Sequence, residues 1–356
     1  MTRFLTESNS IINNKNGQSL IGTISTRKGF DNLKHLIENE KDIKLQNGQA
    51  LVSFCEKEWG HYKTEVMAEN GLDINSQNGK LPINSLYLIG DIETVKYLVE
   101  KGANLNAQNG QALINVCSIR GQFETIKYLV EKGADVNAQS GQPLINVCSI
   151  GGEIDAIKYL IENGANVNAQ IGQALINVCS IRGKFETIKY LVEKGADVNA
   201  QSGQPLINVC SIRGEFETIK YMVEKGADVN SQNGQALTNT CSLEGTLETA
   251  KYLIEKGANV NAQSGQPLIN VCSIGGEFET VKYLIKKGAD VNSQNGQTLI
   301  NSCSIEGEID IIKYLIEKGT DVGSKDSASL VVSCCLREGW DAFNQCLFIR
   351  KRSKSD

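Results

Sequence analysis

Hydrophobic positions recur with a helical period inside each of a series of repeated segments. From Gly110 the chain reads GQALINVCSIRGQFETIKYLVEKGADVNAQ. In the second half of this segment Phe123, Ile126 and Leu129 share one helical face, and charged residues occupy the opposite face. Gly133 then stands where a C-terminal glycine commonly ends a helix. The pattern predicts an amphipathic surface helix followed by a turn.

The first half of the segment contains LINVCSI, which is rich in β-branched residues and also fits a short buried strand. Periodicity alone does not separate the two alternatives. Gly121 divides this stretch from the second helix, and Cys117 puts a small residue seven places after the leading glycine. Together with LVEKGADVNAQ after the second helix, this context favours a first helix over a strand.

The segment is one copy of a repeat whose leading glycines are each 31 residues apart. We expect residues 1–47 to form an N-terminal capping region that includes a degenerate first repeat. Residues 48–326 would be tandem repeats, and residues 327–356 a degenerate C-terminal capping repeat with a basic tail. The leading glycines are Gly17, Gly48, Gly79, Gly110, Gly141, Gly172, Gly203, Gly234, Gly265 and Gly296.

The repeat resembles the ankyrin family, whose unit is a β-turn plus two helices over about 33 residues. The positions that match are Gly110, Leu113 at the start of helix one, Cys117 where small residues pack, Gly121 between the helices, and Gly133. The resemblance implies an all-α solenoid of stacked helix-turn-helix units with short β-turn or hairpin connections. The runner-up architecture, a leucine-rich solenoid with LINVCSI as its strand, lacks both the repeat length and the leucine ladder.

The sequence departs from the family pattern in two ways. The connection from Ala138 to Gly141 is two residues shorter than usual, which predicts a blunter hairpin, and Asn115 stands at the histidine position of the family signature. In style, the near-identical copies look like ankyrin proteins of amoeba-infecting giant DNA viruses, where a role in host interaction would be expected.

Composition and charge narrow the classes of partner and compartment. A net charge of -5 argues against nucleic acid, and no apolar run is long enough to span a membrane. The N-terminus lacks the apolar region of a secretory signal, so we expect an intracellular, most simply cytoplasmic, monomer without a membrane partner. The basic residues of the tail could instead be a nuclear address; they are Arg350, Lys351, Arg352 and Lys354.

The recurring cysteine invites a chemical interpretation, but the pattern favours packing. Zinc needs four ligands, usually as close cysteine pairs, and only Cys334 and Cys335 are close, while His35 and His61 lie far away in sequence. A nucleophilic thiol needs a neighbouring base, and the central repeats contain no histidine. We therefore predict a protein with no enzymatic activity, no catalytic residue, no metal and no cofactor. The tyrosines of the second helices would be partly buried packing residues, or alternatively an aromatic binding stripe.

The ankyrin resemblance implies a scaffold that binds a protein partner along a concave groove. Two positions near the inter-helix turn vary between otherwise similar repeats, and we predict that they contact the partner. The alternative is that their variation has no function. The predicted contact residues are Arg120, Arg182, Lys184, Arg213, Glu244 and Glu306.

Two further roles follow from the same resemblance. An asparagine after each second helix resembles the residue that intracellular asparaginyl hydroxylases modify in ankyrin proteins, so the array could be a substrate or decoy for such an enzyme. The same asparagine is also common for turn chemistry alone. An adaptor for a ubiquitin ligase is a further alternative. The candidate asparagines are Asn106, Asn137, Asn168, Asn199, Asn230, Asn261 and Asn292.

Overall fold

A computed structural model of the chain shows an arrangement of paired helices. The part of the chain that it describes comprises residue 75 and residues 92–181, 184–212, 215–243, 246–275, 277–303 and 309–321. Within these residues there are fifteen helices and no strand. The chain divides into two compact units, Met1–Gln170 and Ile171–Asp356.

The described part of the first unit contains five complete helices. They are α1 (Ile92–Glu100), α2 (Ala107–Cys117), α3 (Phe123–Glu131), α4 (Ala138–Ser149) and α5 (Ile154–Glu162). The boundary between the units falls within α6 (Ala169–Ser180). The LINVCSI stretches lie in α2 and α4, so the prediction of a helix at this sequence is confirmed.

The second unit continues the same alternation of first and second helices. Its helices are α7 (Phe185–Glu193), α8 (Ala200–Ser211), α9 (Phe216–Glu224), α10 (Ser231–Thr240), α11 (Leu247–Glu255), α12 (Ala262–Ser273), α13 (Phe278–Lys286), α14 (Ser293–Cys303) and α15 (Ile309–Glu317). Even-numbered helices are the first helices of their repeats, and odd-numbered helices are the second.

The second helices form because their apolar positions recur on one face. In α3, Ile126 and Leu129 are buried, while Glu124 and Glu131 are exposed. The helix ends at Gly133, whose φ of +93° is in the left-handed region that glycine enters without strain. The backbone N–H of Ala134 then donates to the carbonyl oxygen of Leu129 at 3.0 Å, which satisfies one of the last free carbonyls of the helix.

Near the start of each described first helix, three consecutive residues within its bounds have left-handed backbone angles and form a turn. In α4 these are Gln139, Ser140 and Gly141, with φ values of 46°, 60° and 83°. A Cβ on Gly141 would collide with the Cβ of Ala169, so the position needs glycine both for its φ and for this close approach. The short connection thus contains a tight turn, and this turn positions one repeat against the next.

The cores of both units are built from the same repeated side chains. Leu144 and Cys148 of α4 and Leu160 of α5 have no exposed surface. Leu206 and Cys210 in α8 occupy the corresponding places in the second unit and are also buried. A thiol packs well in such a position because it behaves as a small, weakly polar hydrophobe.

Candidate interaction surface

The asparagine that follows each second helix ties its own repeat to the next one. Asn137 Nδ2 donates to the carbonyl oxygen of Gly164 at 2.8 Å, and its Oδ1 accepts from the backbone N–H of Asn166 at 2.8 Å. Asp135 Oδ1 in turn accepts from the backbone N–H of Asn137, also at 2.8 Å. Both the nitrogen and the oxygen of the side-chain amide therefore bond to the next repeat, although the residue is exposed.

This pair of inter-repeat bonds recurs along both units. Among the described residues, those shown to make both bonds are Asn75, Asn106, Asn137, Asn199, Asn230, Asn261 and Asn292. Asn168 lies at the same turn position and is exposed, with its backbone N–H bound by Asn166 Oδ1. The asparagines that make both bonds therefore use their amides to join repeats, and hydroxylation of the candidate asparagines stays a prediction.

The outward side of the first helices carries a second network of amides. Gln142 Nε2 donates to Asn146 Oδ1 at 2.6 Å within α4. Asn146 Nδ2 donates to Ser118 Oγ of the preceding repeat at 2.9 Å, and that hydroxyl donates to the carbonyl oxygen of Ile114. The network recurs in the second unit, where Asn208 Nδ2 donates to Ser180 Oγ at 2.7 Å.

These bonds limit what the uniform part of the surface can offer a partner. A polar group that is already bonded must lose that bond before it can bind another group, and an intramolecular bond contributes about 1 kcal/mol. The glutamine, asparagine and serine are also the same in every central repeat, from Gly110 to Gly265. Positions outside this amide network can therefore contact a partner without losing such a bond, and they can differ between repeats.

Arg120 is such a position in the first unit. It is exposed, and it borders a crevice of about 10 Å³ that Glu153 of the next repeat also borders. Gly121 turns the chain here with a φ of +76°. The crevice holds no more than a water molecule, so a partner would meet this region as a surface that carries one positive and one negative group.

Lys184 is the other predicted contact residue that the structure describes. It precedes α7 in the second unit and is exposed. Within the described residues neither Lys184 nor Arg120 lies within ion-pair distance of a carboxylate. The remaining predicted contacts, Arg182, Arg213, Glu244 and Glu306, lie outside the described residues.

The recurring cysteines are placed where thiolate chemistry is disfavoured. Burial raises the pKa of Cys148 and Cys241 to about 12, and the pKa of Cys117 is raised still further by burial and by neighbouring Cys148. The seven cysteines of the described residues are all buried and unbridged. Cys334 and Cys335, and both histidines, lie outside the described residues.

Within the residues described, no three His, Cys, Asp or Glu side chains come together as a metal site would require. Nor does that part of the chain include a helix with the length and apolar character to cross a bilayer.

The second helices present tyrosines and lysines. Tyr159 packs edge-on against Phe123 of the preceding repeat, with ring centroids 6.0 Å apart. In the second unit Tyr221 packs against Phe185 at 5.6 Å. The tyrosines are half-buried, which agrees with the packing role predicted for them. Lysines cover the same rings, such as Lys194 Nζ 5.4 Å from the centre of Tyr190.

One exposed apolar side chain breaks the pattern of the left-handed turns. Ile171 is 74% exposed and has a φ of +57°, at a position where the other central repeats have serine or asparagine. A β-branched residue in the left-handed region is a true outlier. Among the described residues, Ile181 is the only other large hydrophobic side chain that is exposed, and its exposed fraction is lower, at 42%.

Sequence reasoning missed the amide network, Ile171 and the inter-repeat role of the turn asparagines. Signals for each were present in the repeat. Glutamine and asparagine are four residues apart on one helical face, and Ile171 replaces a polar residue at a fixed position. The hydrogen-bond partners of these amides in the preceding repeat, such as Ser118 for Asn146, become evident only once the repeats are stacked.

Paired helices at a 31-residue period, with asparagine turns that bond one repeat to the next within each unit, define an all-α repeat protein. The family model described as "Ankyrin repeats (3 copies)" matches the chain in overlapping segments that together span residues 61–326. This is well over half of the chain, and the chain belongs to the ankyrin-repeat family. No curated protein matches it.

Proposed function

We propose that the chain is a non-enzymatic scaffold that binds a partner protein through the variable charged residues between the two helices of its repeats. Ankyrin repeats in general serve protein interaction, which supports the broader part of the proposal. The finer part concerns Arg120 and Lys184 together with the predicted contacts outside the described residues.

The observation that carries the proposal is the contrast between engaged and available groups. The amides of the first helices bond to one another, as in the Gln142, Asn146 and Ser118 chain. Arg120 and Lys184 are exposed charges without an ion-pair partner among the described residues. A partner can reach these charges without breaking any bond that holds two repeats together.

The chemistry of these residues favours an acidic partner surface near Arg120. A guanidinium group can donate two parallel hydrogen bonds to a carboxylate, which adds geometric selectivity to attraction. Charges at the rim of an interface mainly affect the rate of association and its dependence on salt. We expect binding that weakens as the ionic strength rises.

The proposal is tested by comparative capture. The full chain and the variant Arg120→Glu/Lys184→Glu are used as baits in the same extract, and bound proteins are quantified by mass spectrometry. Lys127→Glu/Lys189→Glu is the matched control, because it changes the net charge by the same amount but on the second helices α3 and α7. We expect at least one protein to be retained by the wild type and the control and lost from Arg120→Glu/Lys184→Glu. Equal capture by all three baits would remove these residues from the proposal.

A further inference from the structure

A concave surface on the second helices of the second unit has an unusual charge. It spans α11, α13 and α15 and has a volume of about 560 Å³. We name it the lysine surface. Its lining residues are Lys251, Glu279, Lys282, Tyr283, Ile285, Lys286, Tyr314 and Lys318.

Lys286 makes this surface different from its counterparts. The residue 21 places after the leading glycine is glutamate in nine repeats, and only the repeat that starts at Gly265 has lysine there. In other repeats of this unit, such as those of Glu224 and Glu255, the corresponding glutamate lies near the tyrosine of the next second helix. Tyr283 Oη donates to Glu255 Oε1 at 3.5 Å, and Glu224 adds to the effect of burial in raising the pKa of Tyr252. At Lys286 an ammonium group replaces the carboxylate.

The substitution leaves an excess of positive charge on the lysine surface. Its lining has four ammonium groups and one carboxylate, and that carboxylate, Glu279, pairs with Lys282. Among the described residues no carboxylate lies within ion-pair distance of Lys251, Lys286 or Lys318. The chain as a whole has a net charge of -5, so the positive surface is a local exception.

Aromatic rings position two of these charges. Lys251 Nζ lies 5.6 Å from the centre of the Tyr283 ring, and Lys318 Nζ lies 5.2 Å from that of Tyr314. The cation is attracted by the face of the ring, which restricts the freedom of a long side chain. The ammonium groups are therefore partly ordered before any anion arrives.

We propose that the lysine surface binds an acidic segment of a partner protein. Adjacent packed helices are about 8–10 Å apart, so three successive second helices extend over roughly 16–20 Å. An extended chain covers that distance with about six residues. Lysines offer dispersed point charges without the rigid fork of arginine, and Ile285 and the tyrosines offer apolar contact. These features fit a run of glutamate or aspartate side chains better than one compact anion.

The chain contains its own matched control two repeats earlier in the same unit. The corresponding residues there are Lys189, Glu217, Lys220, Tyr221, Val223, Glu224, Tyr252 and Lys256. They differ from the lysine surface only by Val223 for Ile285 and Glu224 for Lys286. Binding could therefore be moved from the lysine surface to its counterpart by two substitutions, Lys286→Glu in the first and Glu224→Lys in the second.

The test measures fluorescence anisotropy of a fluorescein-labelled hexaglutamate peptide with the full chain in low-salt buffer. We expect Lys286→Glu to weaken binding about tenfold, because reversing one charge changes two exposed charge interactions. Adding Glu224→Lys to that variant should restore binding to near the wild-type level. Lys132→Glu, which alters the net charge equally but lies in the first unit, should bind like the wild type.

Three results would overturn the proposal. They are unchanged binding in Lys286→Glu, failure of the added Glu224→Lys to restore binding, and tighter binding of tripolyphosphate than of hexaglutamate with the same dependence on Lys286. The last result would identify a phosphate site instead. Circular dichroism establishes that each variant is folded, and if Lys286→Glu is not, Lys286→Gln with an expected loss of about threefold replaces it. None of these variants alters Arg120 or Lys184, so the outcome is separate from that of the scaffold proposal.

Discussion

Removing one turn asparagine should loosen the connection between two repeats by a measurable amount. Asn137→Ala deletes the bond from Nδ2 to the carbonyl oxygen of Gly164 and the bond from the N–H of Asn166 to Oδ1, both at 2.8 Å. A hydrogen bond contributes about 0.5–1.5 kcal/mol net, and water can reach the groups left behind because the turn is exposed. We expect a loss of about 1–2 kcal/mol.

The measurement must be local, because repeat arrays need not unfold in one step. Hydrogen exchange followed by mass spectrometry on peptides covering residues 160–170 reports the opening of this turn directly. Exchange at Asn166 should accelerate by about fivefold to thirtyfold, since every 1.4 kcal/mol corresponds to a factor of about ten when opening is at equilibrium. The urea midpoint should also fall.

Asn163→Lys is the matched control. Asn163 Nδ2 donates to the carbonyl oxygen of Tyr159 in its own helix at 2.8 Å, and lysine is the residue found at that position in the neighbouring repeats. This variant should leave exchange at Asn166 unchanged. If Asn137→Ala exchanged at the wild-type rate, the inter-repeat bonds of the turn would contribute nothing to stability.

Other predictions follow from the turns and the cysteines. Ile171→Asn should raise the free energy of unfolding by about 0.5–1.5 kcal/mol and with it the thermal midpoint, because asparagine tolerates a positive φ better than isoleucine. A lower thermal midpoint would show that Ile171 is not strained. In urea unfolding, Gly141→Ala should lower the free energy of unfolding more than Gly133→Ala does. Both glycines have a positive φ, but only Gly141 has a close neighbour, the side chain of Ala169. Equal losses in the two variants would rule out the collision with Ala169. Burial raises the pKa of Cys148 to about 12, so this thiol stays protonated as the pH rises from 7 to 9. Thiol titration of the native chain over that range should leave the seven buried cysteines of the described residues protected, whereas all eleven cysteines of the chain should react after denaturation.

The helices could be predicted from the sequence because each repeat carries its own local signals. Apolar residues such as Ile126 and Leu129 recur at helical spacing, and Gly133 ends the second helix. The burial of Cys148 follows from the same repeat, since its position needs a small residue. The choice of a helix over a strand for LINVCSI needed more, namely the context of the whole repeat and its resemblance to the ankyrin family.

The left-handed turn could not be predicted in the same way. Gln139 and Ser140 have no intrinsic preference for positive φ, and a non-glycine residue there costs roughly 1–2 kcal/mol. The turn is held because Gly141 fits against Ala169 and Gln139 Nε2 donates to Gln111 Oε1 at 3.0 Å. Those contacts join residues 28 apart in the chain, so the conformation is a consequence of stacking.

Whether a residue bonds to a neighbouring repeat also explains which positions can change without weakening the array. Asn137 and Asn146 each bond to a neighbouring repeat, so a change at either weakens a connection between two repeats. Arg120 makes no ion pair within the described residues, and Glu255, which corresponds to Lys286 in the preceding repeat, contacts Tyr283 at the long distance of 3.5 Å. Substitutions at such positions alter surface charge at little expense in stability. Differences in partner recognition should therefore reside at them, while the uniform residues maintain the array.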